Sequence, residues 1–189
     1  MRKMGRTEIR IVGSGGQGVI TMGNLLGRTA TLYEGKYAAQ TQSYGAAVRG
    51  GIIWTEVVIS DEEIDFPGVI DVDVFVIMSQ GAADRYAHEF KQGKIVIIDS
   101  SLVHKPPIED SALYQIPASE LSERKLGNSL FANMILLGFL VGLKEAVRRS
   151  NLIRAIKEEM KLSSLNIEAF EVGFAIASKE GDSGRGFDE

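Results

Sequence analysis

A glycine-rich segment near the amino terminus constrains the fold more than any other part of the chain. Its sequence is Gly-Ser-Gly-Gly-Gln-Gly, and it spans Gly13 to Gly18. The β-prone residues Ile9 to Val12 precede it, and apolar residues at helical spacing follow it from Val19. Glycines permit positive φ angles and close approach of the backbone, and the first amides of a helix attract anions. The segment is therefore predicted to be a phosphate-binding turn between the first strand and the first helix.

Strand-like and helical patterns alternate along the rest of the chain. This alternation indicates an α/β fold, a three-layer α/β/α sandwich of the Rossmann-like type with a mostly parallel sheet and a helical carboxyl-terminal part. We expect one domain over residues 1–180 and a disordered tail over 181–189, since the tail is rich in glycine and charge. The predicted strands are 9–12, 37–40, 52–59, 72–78, 94–99 and 113–116, and the predicted helices are 19–35, 81–90, 128–143, 152–160 and 167–178.

Composition argues against several classes of function. Lys and Arg number 21 against 25 Asp and Glu, which gives no basic surface for nucleic acid or for an anionic membrane. The chain has no cysteine, so it cannot hold an iron–sulfur cluster through thiolates, and two histidines, His88 and His104, are too few for a typical zinc site. The longest apolar run, Met134 to Leu143, is too short to span a bilayer. We expect a soluble, cytoplasmic protein.

The spacing of Gly13, Gly15 and Gly18 matches the dinucleotide-binding pattern G-x-G-x-x-G. That interpretation also requires an acidic residue about 20 residues further on, at the end of the second strand, to bind the ribose. Gln40 to Gln42 occupy that place, and the nearest carboxylate, Glu34, belongs to the end of the helix. Neither Lys-Ser nor Lys-Thr follows the turn, which argues against a Walker-type phosphate loop. A stand-alone NAD- or flavin-binding oxidoreductase remains an alternative, as does a tight turn without a ligand.

A second glycine-centred motif follows the second predicted strand. It begins at Tyr44 and ends at Arg49, Gly50 and Gly51, directly before the third predicted strand. Because two glycines follow Arg49, its forked guanidinium can approach a phosphate or a carboxylate. An ion pair with a partner or a bond to a loop carbonyl is the alternative role for Arg49, and packing is the alternative role for Tyr44.

Together the motifs resemble the paired signature of the gamma subunit of 2-oxoacid:ferredoxin oxidoreductases. The resemblance rests on Gly13 to Val19, on Tyr44 to Gly51 and on Asn133 to Gly138 in the later helix. It covers most of the chain, from Ile9 to Lys179. The family includes the pyruvate, 2-oxoglutarate and 2-ketoisovalerate ferredoxin oxidoreductases, and it shares this catalytic domain with indolepyruvate oxidoreductase.

The resemblance implies a subunit of an enzyme that oxidatively decarboxylates a 2-oxoacid, transfers the acyl group to coenzyme A and reduces ferredoxin. Thiamine diphosphate, Mg and the iron–sulfur clusters are then held by other subunits, and this chain alone is expected to bind no cofactor and to be inactive. The expected partners are an alpha subunit, a beta subunit and, where one is present, a ferredoxin-like delta subunit that links the complex to ferredoxin. Neither nucleic acid nor a membrane is an expected partner.

The resemblance also implies which residues contribute to the shared active site. Both glycine motifs would form one wall of the coenzyme A site, called here the glycine wall, whereas no residue of this chain is expected to be catalytic or to bind a metal. Gln17 either reaches a cofactor of a neighbouring subunit or ties the turn together. The further alternative is a non-catalytic assembly module, whose glycine loops shape an interface and bind nothing. The glycine wall comprises Gly13, Ser14, Gly15, Gly16, Gln17, Gly18, Tyr44, Arg49, Gly50 and Gly51.

Residues outside the two glycine motifs have both functional and structural interpretations. The candidates for subunit contact are Trp54, the flank from Tyr44 to Val48 and the apolar helix with Phe131 and Phe139, although internal packing is favoured for the helix. Asp99 and two serines follow the fifth predicted strand, at the edge where open α/β sheets bind ligands. Such polar residues equally serve as helix caps.

Overall fold

The computed structural model describes residues 5–43, 51–89, 94–106 and 113–183, which form a six-stranded sheet and six α-helices. The strands are β1 (Arg6–Ser14), β2 (Tyr37–Gln42), β3 (Ile52–Ser60), β4 (Val74–Ile77), β5 (Ile95–Asp99) and β6 (Leu113–Ile116). The helices are α1 (Val19–Glu34), α2 (Gln80–Tyr86), α3 (Ala118–Leu126), α4 (Ala132–Leu143), α5 (Arg149–Glu159) and α6 (Ser163–Ser183). Short 3-10 turns at Ala87–Glu89 and Ser129–Phe131 follow α2 and precede α4.

Five of the six strands run in the same direction. The strand order is β2-β3-β1-β4-β5-β6, and the pairs β1–β4, β4–β5 and β5–β6 are parallel. Strand β3 is antiparallel to both β1 and β2, so β2 runs with β1. The predicted α/β fold with a mostly parallel sheet is therefore confirmed. β3 is the exception because residues 43–51 are enough for a hairpin connection but too few for the crossover that a parallel neighbour needs.

Helices and loops cover both faces of the sheet, which is why its central strands are apolar at almost every position. On one face Ile9 and Ile11 of β1 belong to a large core that includes residues of α1, α4, α5 and α6. On the other face Val12 and Phe75 pack with Ala82 of α2 in a smaller core. The predicted three layers are present, with most of the helical mass on one side.

Helix α4 is an internal element of the larger core. Ten of its twelve residues are buried, including Phe139, and Phe131 just before it is also buried. This confirms the packing interpretation of the apolar helix. Trp54 is partly buried against the smaller core.

Helix α3 has no counterpart among the predicted elements. Six of its nine residues are polar or charged, and Pro117 at its start offers no side-chain cap. The buried carboxylate of Asp99 instead accepts hydrogen bonds from the Ser119 hydroxyl at 2.6 Å and from the Ser119 amide at 3.2 Å. The start of α3 is thus fixed by the end of β5, and Asp99 has the capping role rather than an exposed ligand-binding one.

None of the helices in the described ranges is long and apolar enough to cross a membrane. Helix α6 ends at Ser183, inside the predicted tail, and residues 184–189 lie outside the described residues. The division into one domain and a disordered tail stays a prediction.

Candidate functional site

The glycine turn lies at the carboxyl-terminal edge of the sheet. β1 extends through Gly13 and Ser14, and residues 15–18 make the turn into α1. Gly16 at φ +92° and Gly18 at φ +77° adopt the left-handed conformation that favours glycine. Gly16 is exposed, and nothing lies within 4 Å of the position that a Cβ would take there. The predicted strand–turn–helix unit is present, with Gly16 open to an approaching ligand.

Gln17 ties this turn to the neighbouring strand. Its side-chain oxygen accepts a hydrogen bond from the Ser14 amide at 2.6 Å, and its side-chain NH₂ donates to the Met78 carbonyl at 2.7 Å, directly after β4. Both ends of the side chain are therefore engaged within the chain. Of the two roles that the sequence left open for Gln17, the structure supports the one of fixing the turn.

Helix α1 begins without a side-chain cap. Its N-cap residue is Gly18, and its first turn contains no acidic residue. The first amides of a helix have no acceptor within the helix, and the helix dipole adds a partial positive charge there. The turn consequently places the amino terminus of a 16-residue helix next to the exposed backbone of Gly16, an arrangement suited to a phosphate group.

Asn133, the second residue of α4, packs against the turn. A Cβ on Gly18 would overlap the side-chain nitrogen of Asn133 and would lie 2.9 Å from its Cγ, so this contact requires glycine at position 18. The sequence placed Asn133 in a motif of the later helix but gave no sign that it contacts the turn. The contact arises from the packing of α4 beside α1, which no local sequence pattern reports.

The second glycine motif meets the first at Gly51. The Gly15 amide donates to the Gly51 carbonyl at 3.1 Å, and β3 then pairs with β1 so that Ile52 lies opposite Ser14. Since β2 and β1 end at the same edge of the sheet, residues 44–50 connect Ser43 and Gly51, two positions at this edge. Of the predicted contact residues, Tyr44, Arg49 and Gly50 lie outside the described residues.

This strand arrangement argues against a dinucleotide site. Antiparallel β3 lies between β1 and β2, whereas the dinucleotide-binding fold has a parallel second strand directly beside the first. Gln40 on β2 donates to the Thr55 hydroxyl of β3 at 2.9 Å. Glu34 ends α1, as predicted, and accepts from the Arg148 amide at 2.6 Å. Neither side chain offers a carboxylate to a ribose at the turn.

Other polar side chains along this edge fix loops. Ser79 caps α2 by accepting from the Ala82 amide at 3.4 Å. The Gln80 side-chain oxygen accepts from the amides of His104 and Lys105, each at 2.9 Å. Among the described residues no group of three or more His, Cys, Asp or Glu could hold a metal ion. The chemical property of this edge is therefore hydrogen-bond donation to an anion, from the backbone amides at the start of α1.

A separate cavity of about 300 Å³ lies on the α2 side of the sheet and is lined by Arg10, Phe75 and Lys94 among others. Arg10 pairs with the carboxylates of Glu56, at 2.5 Å, and of Glu89. Lys94 pairs with Asp71 at 2.8 Å, so both cations in this lining are already neutralised. The lining includes no residue of the glycine turn.

Sequence and structure comparisons agree on one family of proteins. The chain matches the pyruvate ferredoxin/flavodoxin oxidoreductase family over residues 8–176. The 2-oxoglutarate synthase subunit KorC of Methanocaldococcus jannaschii is 42% identical over 178 residues, which cover 92% of this chain and 95% of the relative. The gamma subunit of a keto/oxoacid ferredoxin oxidoreductase from Geobacter sulfurreducens is similar in structure, with a TM-score of 0.82 and 34% identity over 92% of this chain and 97% of that chain.

The fold also occurs within a longer chain. The 2-oxoglutarate:ferredoxin oxidoreductase from Magnetococcus marinus, with 2-oxoglutarate, coenzyme A and succinyl-CoA bound, has a TM-score of 0.81 and 23% identity. The similarity covers 94% of this chain and 32% of that chain. At this identity the similarity concerns the fold.

Proposed function

The chain belongs to the pyruvate ferredoxin/flavodoxin oxidoreductase family, and from this membership we propose that it is the gamma subunit of a 2-oxoglutarate:ferredoxin oxidoreductase. Such an enzyme removes carbon dioxide from the 2-oxoacid, joins the acyl group to the sulfur of coenzyme A and passes the electrons to ferredoxin. The relative that is 42% identical is a 2-oxoglutarate synthase subunit, which favours 2-oxoglutarate over pyruvate or a branched-chain acid.

The site residues in this proposal form the glycine wall, and their ligand is coenzyme A. The observation that carries it is the hydrogen bond from the Gly15 amide to the Gly51 carbonyl, because it joins the two glycine motifs at one edge of the sheet. Coenzyme A carries phosphate groups, and the amino terminus of α1 beside Gly16 provides backbone donors for them. Arg49 would add a charged donor to the same phosphates.

The proposal assigns thiamine diphosphate, magnesium and the iron–sulfur clusters to the other subunits. This chain has no cysteine to ligate a cluster, and its described residues contain no group of three or more His, Cys, Asp or Glu that could hold a metal ion. The contribution of this chain is to bind and orient coenzyme A. The phosphates are remote from the thiol, so holding them limits where the thiol can move and makes its attack on the acyl group effectively intramolecular.

Assembly with alpha and beta subunits, in the cytoplasm, is part of the same proposal. Leu102 and Leu130 are 39% and 69% exposed. Leu102 follows β5, whose carboxyl end lies at the same edge of the sheet as the glycine turn. Leu130 lies three residues before Asn133, which contacts the turn at Gly18. Exposed apolar side chains next to a candidate site favour a surface that a partner subunit covers.

Co-purification and reconstitution test this function. The native protein is expected to purify together with larger subunits that carry thiamine diphosphate and iron–sulfur clusters. The chain alone is expected to reduce no ferredoxin, and adding it to partner subunits expressed without it is expected to restore activity that depends on 2-oxoglutarate and coenzyme A. A native protein that runs alone and binds NAD or a flavin tightly would contradict the proposal. A restored complex that prefers pyruvate or a branched-chain acid would contradict the choice of substrate alone.

A further inference from the structure

Asn133 has an unusual environment for a buried side-chain amide. The residue is only 7% exposed, and its side chain lies against Gly18 at the start of α1. Buried polar groups are nearly always hydrogen-bonded, because an unpaired one loses its contacts with water without compensation. Within the described residues the Asn133 side chain has no hydrogen-bond partner. The small exposed fraction leaves this amide within reach of a molecule bound at the turn.

Asn166 shows what a satisfied buried asparagine looks like in the same chain. It is 5% exposed, and its side-chain NH₂ donates to the carbonyls of Lys161 at 3.0 Å and Leu162 at 3.1 Å. Asn133 is about equally buried, and the described part of the chain gives it no such acceptor. The difference between the two residues indicates an acceptor for Asn133 that none of the described residues provides.

The surroundings of Asn133 indicate the charge of that acceptor. The N-cap residue of α1, Gly18, provides no side chain, and the first turn of the helix has no acidic residue, so the partial positive charge of this helix terminus is uncompensated locally. A side-chain NH₂ next to it adds a donor without adding a formal charge. Both features suit an anionic oxygen.

We propose that Asn133 is an anion-binding residue whose side-chain NH₂ donates a hydrogen bond to a phosphate oxygen held at the amino terminus of α1. The inference rests on the proposed function, in which that phosphate belongs to coenzyme A. It adds a ligand contact from α4, an element outside both glycine motifs. It also explains the need for glycine at position 18, since a Cβ there would displace the Asn133 amide.

The test uses the assembled oxidoreductase with two substitutions at this position. Asn133→Asp keeps the size of the side chain but exchanges the donor for a negative charge, so the KM for coenzyme A is expected to rise about tenfold or more. Asn133→Ala removes the donor alone and is expected to raise this KM about three- to tenfold. The dissociation constant of coenzyme A, measured by equilibrium dialysis, is expected to rise with it, and the KM for 2-oxoglutarate is expected to stay unchanged.

Asn166→Ala is the matched control. It removes a buried asparagine of similar exposure from α6, so it is expected to lower the unfolding temperature of the chain while the KM for coenzyme A stays at the wild-type value. A loss of coenzyme A affinity confined to the Asn133 variants therefore reports binding rather than weakened folding.

Unchanged coenzyme A affinity in an assembled Asn133→Asp complex would overturn the inference. If the Asn133→Asp complex does not assemble, unchanged coenzyme A affinity in the Asn133→Ala complex would overturn the inference instead. Gly16→Val separates this inference from the proposed function. A raised KM for coenzyme A in Gly16→Val, with none in the Asn133 variants, rejects the role of Asn133 alone. An unchanged KM for coenzyme A in Gly16→Val and in both Asn133 variants rejects the glycine wall as well.

Discussion

Replacing Gly138 by alanine is expected to destabilise the folded chain by about 3 kcal/mol. Gly138 lies where α4 crosses α6, and an added Cβ would overlap the Phe170 carbonyl oxygen and lie 2.9 Å from the carbonyl carbon. Gly173 of α6 has the reciprocal environment, because its Cβ would overlap the Ile135 carbonyl oxygen. Backbone atoms cannot turn away as a flexible side chain can, so the two helices would have to separate and open the larger core.

Thermal unfolding measures this effect. For a chain of this size, a destabilisation of about 3 kcal/mol corresponds to a fall of roughly 6–12 °C in Tm. Gly173→Ala is expected to lower the Tm by a similar amount. The control is Gly27→Ala in α1, where the nearest atom to an added Cβ is the Ala38 Cβ at 4.0 Å. That substitution is expected to be neutral or stabilising by about 0.5–1 kcal/mol, since alanine favours a helix more than glycine does. Equal Tm values for Gly138→Ala and Gly27→Ala would contradict the close helix crossing.

Gly16→Val in the assembled oxidoreductase is expected to raise the KM for coenzyme A by about tenfold or more, equivalent to about 1.4 kcal/mol of lost binding. Gly16 is exposed in the turn and has a φ of +92°, so a branched side chain would both strain the backbone and occupy the space that a phosphate needs. The KM for 2-oxoglutarate is expected to change little, because the expected obstruction concerns the phosphates of coenzyme A.

Gly35→Val is the control that separates obstruction of the coenzyme A site from strain in the backbone. Gly35 follows α1 at its opposite end, has a φ of +64° and, like Gly16, has nothing within 4 Å of an added Cβ. It is therefore expected to show a similar loss of stability with an unchanged KM for coenzyme A. If both variants raise this KM equally, the effect comes from backbone strain and the turn has no direct role in binding.

The sequence predicted the glycine turn because all of its determinants are contiguous. A β-prone run, glycines at the required spacing and an amphipathic pattern follow one another from Ile9 to Ala30. The burial of α4 was also predictable from the sequence, since the run from Met134 to Leu143 is almost wholly apolar. The alternation of patterns indicated the α/β class but not the opposite direction of β3. The sequence signal for that direction is the short connection between β2 and β3, which is too short for a parallel crossover.

Features that depend on contacts distant in sequence could not be predicted. The start of helix α3 is fixed by the Asp99 carboxylate at the end of β5, because its N-cap residue, Pro117, provides no side-chain cap. Gln17 reaches the Met78 carbonyl, and Asn133 reaches Gly18, only because β4 and α4 pack beside the turn. Local sequence therefore identifies the backbone segment that can bind an anion. Tertiary packing determines which side chains lie next to that segment.

Hydrogen exchange of the assembled oxidoreductase, with and without coenzyme A, tests most directly whether the glycine turn of this chain contacts coenzyme A. Saturating coenzyme A is expected to slow exchange of backbone amides in peptides that cover residues 14–22, because phosphate oxygens would accept from them. Peptides from residues 163–176 of α6 are expected to exchange as before, and pantetheine, which lacks the phosphates, is expected to protect neither region. Unchanged exchange over residues 14–22 in a complex saturated with coenzyme A would contradict the proposed glycine wall.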